Sequence, residues 1–150
     1  MESNEEIYDL NKIKLCNAKT DNLNIDIESV VNGNDIICLF LSAHWCNPCK
    51  RFFPTLLNAY NQWKDNKIKI EIIFCSSDSN EDAFKEYYST MPWLANEYYN
   101  KELIEDLKTK FKLKGMPSLL VFNNKGKLID KEAQEKLIVY KEKAVENWIS

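Results

Sequence analysis

The sequence predicts an α/β sandwich, a mixed sheet covered by helices. Three observations carry this. Apolar runs of strand length alternate with segments of helical periodicity. The strongest run, residues 36–41 (IICLFL), is apolar throughout, as suits a central strand buried on both faces. The third is a hairpin signature near the C-terminus, two strand-like runs separated by Asn123-Asn124-Lys125-Gly126.

The elements follow in order. A weak strand over 13–16 begins the fold, and the run 36–41 is its centre. Residues 49–65 carry Phe52, Phe53, Leu56, Leu57, Tyr60 and Trp63 three and four apart, an amphipathic helix. Pro54 lies inside it and predicts a kink rather than a stop. Residues 68–75 first alternate and then turn wholly apolar, a second buried strand. Asp78, Ser79 and Asn80 are N-cap candidates for a helix over 81–88. A third helix spans 103–111, with Gly115 as its terminator. Strands over 118–122 and 127–129 make the hairpin. A fourth helix spans 137–149, with Leu137, Ile138, Lys141, Ala144, Val145, Trp148 and Ile149 spaced for one face.

The chain has 150 residues, enough for one domain that buries about two thirds of its unfolded surface. With no repeat, low-complexity tract or linker, residues 1–150 read as a single domain with its core over about 13–149 and a loose N-terminal dozen. Apolar residues make up 45% and charged residues 29%, which argues against disorder. No apolar run reaches the roughly 18 residues of a membrane span. Net charge is −3 with the signs interspersed, so no nucleic-acid partner is expected, and three glycines leave no phosphate cradle. Residues 1–6 (MESNEE) have neither the basic nor the apolar region of a signal peptide, and Arg51 is the sole arginine, so a cytoplasmic or nuclear address is expected. In such a compartment, structural disulfides are disfavoured. Cys16, Cys38 and Cys75 then read as small buried hydrophobes.

The chemistry concentrates in Ser42-Ala43-His44-Trp45-Cys46-Asn47-Pro48-Cys49-Lys50, where the central strand meets the first long helix. A helix N-terminus offers free N–H groups and the positive end of the helix dipole. A thiolate there is stabilised, which makes Cys46 a nucleophile near neutral pH. Cys46 is expected at the exposed helix start and Cys49 one turn inside, shielded, with both sulfurs on one face and close enough for a disulfide. Pro48 suits the first turn. The implied chemistry is attack of Cys46 on a substrate disulfide, then displacement by Cys49. Zinc would need about four ligands, and one histidine with no second cysteine pair does not supply them. No cofactor is expected.

Gly115-Met116-Pro117-Ser118 is the second element. Pro117 reads either as an ordinary strand-start proline or as a cis residue, which would turn the Met116 backbone toward an extended substrate. The residues alone leave both open.

Trp45-Cys46-Asn47-Pro48-Cys49-Lys50 with Gly115-Met116-Pro117 resembles the thioredoxin superfamily. Residues 76–84, Tyr87 and Met91-Pro92-Trp93-Leu94-Ala95 are similar to its tryparedoxin/nucleoredoxin branch, and the likeness runs over about 36–129. The resemblance implies a thioredoxin fold with a central mixed sheet flanked by helices on both faces. It further implies a cis Pro117 facing the disulfide, Trp45 covering the site, Cys46 as nucleophile and Cys49 as resolving thiol. Phe40 stands where thioredoxins carry a buried Asp and tryparedoxins often a Tyr, so it supplies no proton relay to Cys49. Ser77-Asp78-Ser79 stands where tryparedoxins commonly read Trp-Asp-Glu, which marks Asp78 as a substrate-contacting residue. His44 replaces a small or acidic residue; it is either a solvated surface side chain or an added positive charge beside Cys46.

Two further segments stay open. Tyr87, Tyr88, Trp93, Tyr98 and Tyr99 read as a satellite core over the sheet or as a docking surface. The lysine-rich strip 108–114 reads as a solvated helix end, or as a field steering an acidic partner or glutathione toward the Pro117 loop. The expected function is thiol–disulfide oxidoreduction on protein or low-molecular-weight disulfides, with thioredoxin reductase or a glutathione-type thiol as upstream reductant, by a monomer. The alternative is a redox-sensitive protein-binding module of nucleoredoxin type that turns over slowly.

Overall fold

The computed structural model describes residues 7–20 and 22–149; the acidic segment 1–6 lies outside them. In order come a 3-10 turn Leu10–Lys12, β1 Leu15–Asn17, β2 Asn22–Ile25, α1 Ile27–Asn32, β3 Ile36–Ser42 and α2 Asn47–Asp65. Then follow β4 Ile70–Ser76, α3 Glu81–Tyr88, β5 Leu94–Asn96, α4 Lys101–Phe111, β6 Ser118–Asn123, β7 Leu128–Asp130, α5 Ala133–Tyr140 and a 3-10 segment Lys141–Asn147.

The seven strands form one mixed sheet in the order β2-β1-β5-β4-β3-β6-β7. β3 sits inside it, parallel to β4 and antiparallel to β6, and all seven of its residues are buried. Alternation along β3 splits the core in two. Ile36, Cys38 and Phe40 pack with Phe52, Leu56 and Trp63 of α2 and Phe84, Tyr87 and Tyr88 of α3. Ile37, Leu39 and Leu41 pack with Leu103, Ile104, Leu107 and Phe111 of α4 and Val31 of α1. Both faces are covered, as a continuously apolar strand requires.

α2 runs unbroken through Pro54, and Asn80 caps α3 by accepting the Ala83 N–H at 2.8 Å. Elsewhere the molecule departs from the sequence expectation. α4 is closed by Lys112 in the left-handed region (φ 53°), not by Gly115. The C-terminal helix begins earlier, at Ala133, and stops at Tyr140, where Lys141 takes φ 56°. The 3-10 segment then turns Ala144, Val145 and Trp148 onto α2. There the Trp63 indole donates to the Glu142 carbonyl at 2.8 Å, and Ile138 and Ile149 stay exposed. Within residues 7–12, Tyr8 and Leu10 are buried, and the Tyr8 hydroxyl donates to Asp106 at 2.8 Å. The Tyr8 N–H also donates to the Gly126 carbonyl, so close that a Cβ on Gly126 (φ +85°) would lie 2.2 Å from the Tyr8 oxygen. Tyr87, Tyr88 and Trp93 belong to the main core, not a satellite, while Tyr99 is exposed.

Candidate redox site

Strand register assembles the site. β3 and β4 end together at Ser42 and Ser76, and Leu41 pairs with Ser118, the first residue of antiparallel β6. The chain leaving β3 toward α2 and the chain entering β6 therefore meet at one edge of the sheet. That edge, the carboxyl end of parallel strands, is where open α/β folds place their ligands.

Cys46 is the N-cap of α2, and its sulfur accepts the Cys49 N–H at 3.3 Å. Asn47 and Pro48 occupy the exposed first turn. The Cα atoms of Cys46 and Cys49 are 5.3 Å apart and their sulfurs lie at disulfide distance. Cys49 is fully buried. Cys46, expected exposed, is only 6% exposed, because it packs with Ala43, Cys49 and Met116. It still borders a groove of about 550 Å³ lined by Leu41, Trp45, Pro48, Leu113 and Met116 among others. The Met116–Pro117 peptide bond is cis, and the Met116 carbonyl oxygen lies 4.0 Å from Cys46 Sγ.

Trp45 is 60% exposed, and its indole N–H reaches the Ser77 carbonyl at 3.4 Å. His44 is half-buried. Its N–H donates to Asp78 Oδ1 at 2.7 Å and its ring meets the Tyr87 ring edge-on at 5.9 Å. Asp78 is 2% exposed, so its carboxylate is engaged within the chain: Oδ2 accepts the Ser76 hydroxyl at 2.7 Å while Oδ1 holds His44. Through these two bonds Asp78, expected as a substrate contact, ties the turn before Cys46 to the end of β4. Phe40 is fully buried against Phe52, Phe74 and Trp93.

Sequence reasoning missed several neighbours. Ser42 and Tyr87 share a buried hydroxyl pair at 2.8 Å, and burial pushes the Tyr87 hydroxyl up from its ordinary value. Lys101 donates to the Asp78 carbonyl at 3.2 Å. Burial pulls its ammonium below the usual range, opposed by Asp78 and reinforced by Lys108. Each lies far from its partner in sequence, so no spacing motif announces it. Cys16, Cys38 and Cys75 are buried free thiols; burial pushes Cys16 up to about 11 and the other two higher still. Among the described residues no cluster of three His, Cys, Asp or Glu could hold a metal ion.

A sheet between two helical layers, a helix-capping Cys-x-x-Cys pair and a facing cis-proline define a thioredoxin-type redox domain. The thioredoxin-like family model matches residues 33–128, and the chain belongs to that family. Within it, the chain is similar to probable nucleoredoxin 1 of Arabidopsis thaliana, 39% identical over 113 residues, 75% of this chain and 19% of that one. The structure is similar to tryparedoxin I from Leishmania major (TM-score 0.73, 32% identity, 84% of each chain). It is also similar to tryparedoxin from Trypanosoma brucei (TM-score 0.76, 27% identity, 87% of this chain and 88% of that one). The chain spans about a fifth to a quarter of the length of the curated nucleoredoxins it matches.

Proposed function

We propose that this chain is a thiol–disulfide oxidoreductase that reduces disulfides of proteins or small thiol compounds. The observation that carries the reading is the Cys46–Cys49 pair at disulfide distance, with Cys46 capping α2 beside cis Met116–Pro117. A thiolate at Cys46 accepts the Cys49 N–H and faces the positive end of α2, which favours the charged sulfur. It attacks a substrate disulfide, forms a mixed disulfide and releases one substrate thiolate. Cys49 then attacks Cys46 Sγ, releases the second thiolate and leaves Cys46–Cys49 oxidised, two electrons having passed to the substrate. An external thiol reductant, thioredoxin reductase or a glutathione-type thiol, restores the pair.

Access supports the order of attack: Cys46 borders the groove and Cys49 has no exposed surface. The cytoplasm or nucleus is the proposed compartment; no helix among the described residues is long and apolar enough to cross a membrane. The test is insulin reduction by dithiothreitol. The parent protein accelerates it and Cys46→Ser abolishes the acceleration; no acceleration by the parent defeats the reading. Exposed Trp45 beside the dithiol favours a second reading, a redox-sensitive binding module. That module would turn insulin over slowly yet bind its partner differently in the two redox states.

A further inference from the structure

We propose that the groove beside Cys46 selects disulfides set in acidic peptide segments, with Lys108 and Lys114 as the residues that recognise their carboxylates. The inference rests on the oxidoreductase reading and deepens it. The groove floor is apolar, with Leu41, Leu113 and Met116, and its rim carries Lys108 and Lys114 with no carboxylate in the lining. An extended peptide laid across it buries apolar groups on the floor and brings its side chains to the lysines.

The charge pattern decides the sign. Lys12, Lys64, Lys85 and Lys136 each sit in an ion pair with an acidic residue. Among the described residues neither Lys108 nor Lys114 does. Lys101 and Lys108, two turns apart on α4, raise the positive potential on the same side, and the field of Lys108 disfavours the charge on Lys101. Lys114 also borders a neighbouring cleft that holds Glu132 and Glu135, so part of its field is offset. Lys108 is therefore the stronger determinant. The chain as a whole carries −3, so its net charge repels acidic ligands and only this local field attracts them.

The experiment uses two synthetic peptide disulfides, identical except that Glu on both sides of each cysteine becomes Gln. Each catalysed kcat/KM, with dithiothreitol as reductant, is divided by the uncatalysed rate of the same peptide. This removes the intrinsic effect of the acidic neighbours on exchange. The Glu peptide is expected to be preferred about fivefold at low salt, with the preference fading as salt rises from about 20 to about 300 mM. K108Q together with K114Q abolishes the preference, K108Q alone removes more of it than K114Q alone, and K125Q, on the hairpin at the opposite end of β6, leaves it intact. Equal reduction of both peptides by the parent, or a preference that survives the double variant, overturns the inference while the oxidoreductase reading stands. Reduction of neither peptide overturns both.

Discussion

Asp78 offers the sharpest quantitative test, because its two carboxylate oxygens join β4, the His44 turn and, through that turn, Cys46. In Asp78→Ala the His44 N–H loses its acceptor at 2.7 Å and the Ser76 hydroxyl loses its acceptor at 2.7 Å. Both bonds are to a charged group in a site that is 2% exposed. Hydrogen bonds to charged groups contribute about 1.5–3 kcal/mol each, and the relief of a buried carboxylate's desolvation offsets part of the sum. The net loss is about 2–3 kcal/mol, or about 4–12 °C in Tm for a domain of this size. Asp78→Asn keeps an oxygen for the His44 N–H and forces only the Ser76 contact to rearrange, so it costs about 1 kcal/mol. Urea unfolding followed by circular dichroism, in oxidised and reduced protein, measures both variants. Since neither bond touches sulfur, the loss is the same in the two redox states. Insulin reduction below the transition falls several-fold in Asp78→Ala, which makes Asp78 a positioning residue. An alanine variant within about 0.5 kcal/mol of the parent, or one no worse than the asparagine variant, would refute the reasoning.

Gly126→Ala drives a Cβ to within 2.2 Å of the Tyr8 carbonyl oxygen at φ +85° and lowers stability by about 1–3 kcal/mol, read from the urea midpoint. Phe40→Asp, which restores an acid where thioredoxins carry one, places a carboxyl among Phe52, Phe74 and Trp93 and costs more than about 4 kcal/mol by the same measurement. In the fully reduced native protein at pH 8, iodoacetamide with mass mapping finds Cys46 labelled, while Cys16, Cys38 and Cys75 resist until urea is added. Burial raises the Cys16 thiol from 9.0 to about 11, so the folded state keeps a proton that the unfolded state has lost. That contribution is whole below pH 9 and disappears as the pH climbs to 11. The urea midpoint of the parent therefore declines across that window, and declines less in Cys16→Ala.

The elements legible in the sequence were those whose state follows from local chemistry. β3 announces itself because a strand covered on both faces has no polar position to break the run. The bounds of α3 were legible to the residue, and Asn80, one of three candidates, is its cap. The missed elements, β2, α1 and β5, have three to six residues each. So short a segment carries too few side chains for either period to show. β5 exists because β4 and β1 pair with it on either side. The terminator of α4 and the end of α5 were misread for a related reason. Lys112 and Lys141 adopt positive φ although a Cβ disfavours it, and no side chain records that their neighbours impose it.

The redox site divides along the same line. Its first half lies within five consecutive residues, so Cys46, Pro48 and Cys49 could be placed from spacing and helix electrostatics, and Trp45 from the family resemblance. The second half is set by sheet register. Met116 meets Cys46 across 70 positions because Leu41 pairs with Ser118, and Asp78 reaches His44 because β3 and β4 end level at Ser42 and Ser76. Local reasoning accordingly saw a nucleophile on an open helix end. Register instead sinks Cys46 to 6% exposure beneath the Met116 loop, at the edge of a groove. On the oxidoreductase reading, a substrate sulfur enters along the groove, past Trp45, Lys108 and Lys114. What the chain selects is consequently decided less by the dithiol, which many disulfides would satisfy, than by the residues that three separate strands and helices happen to bring to that entrance.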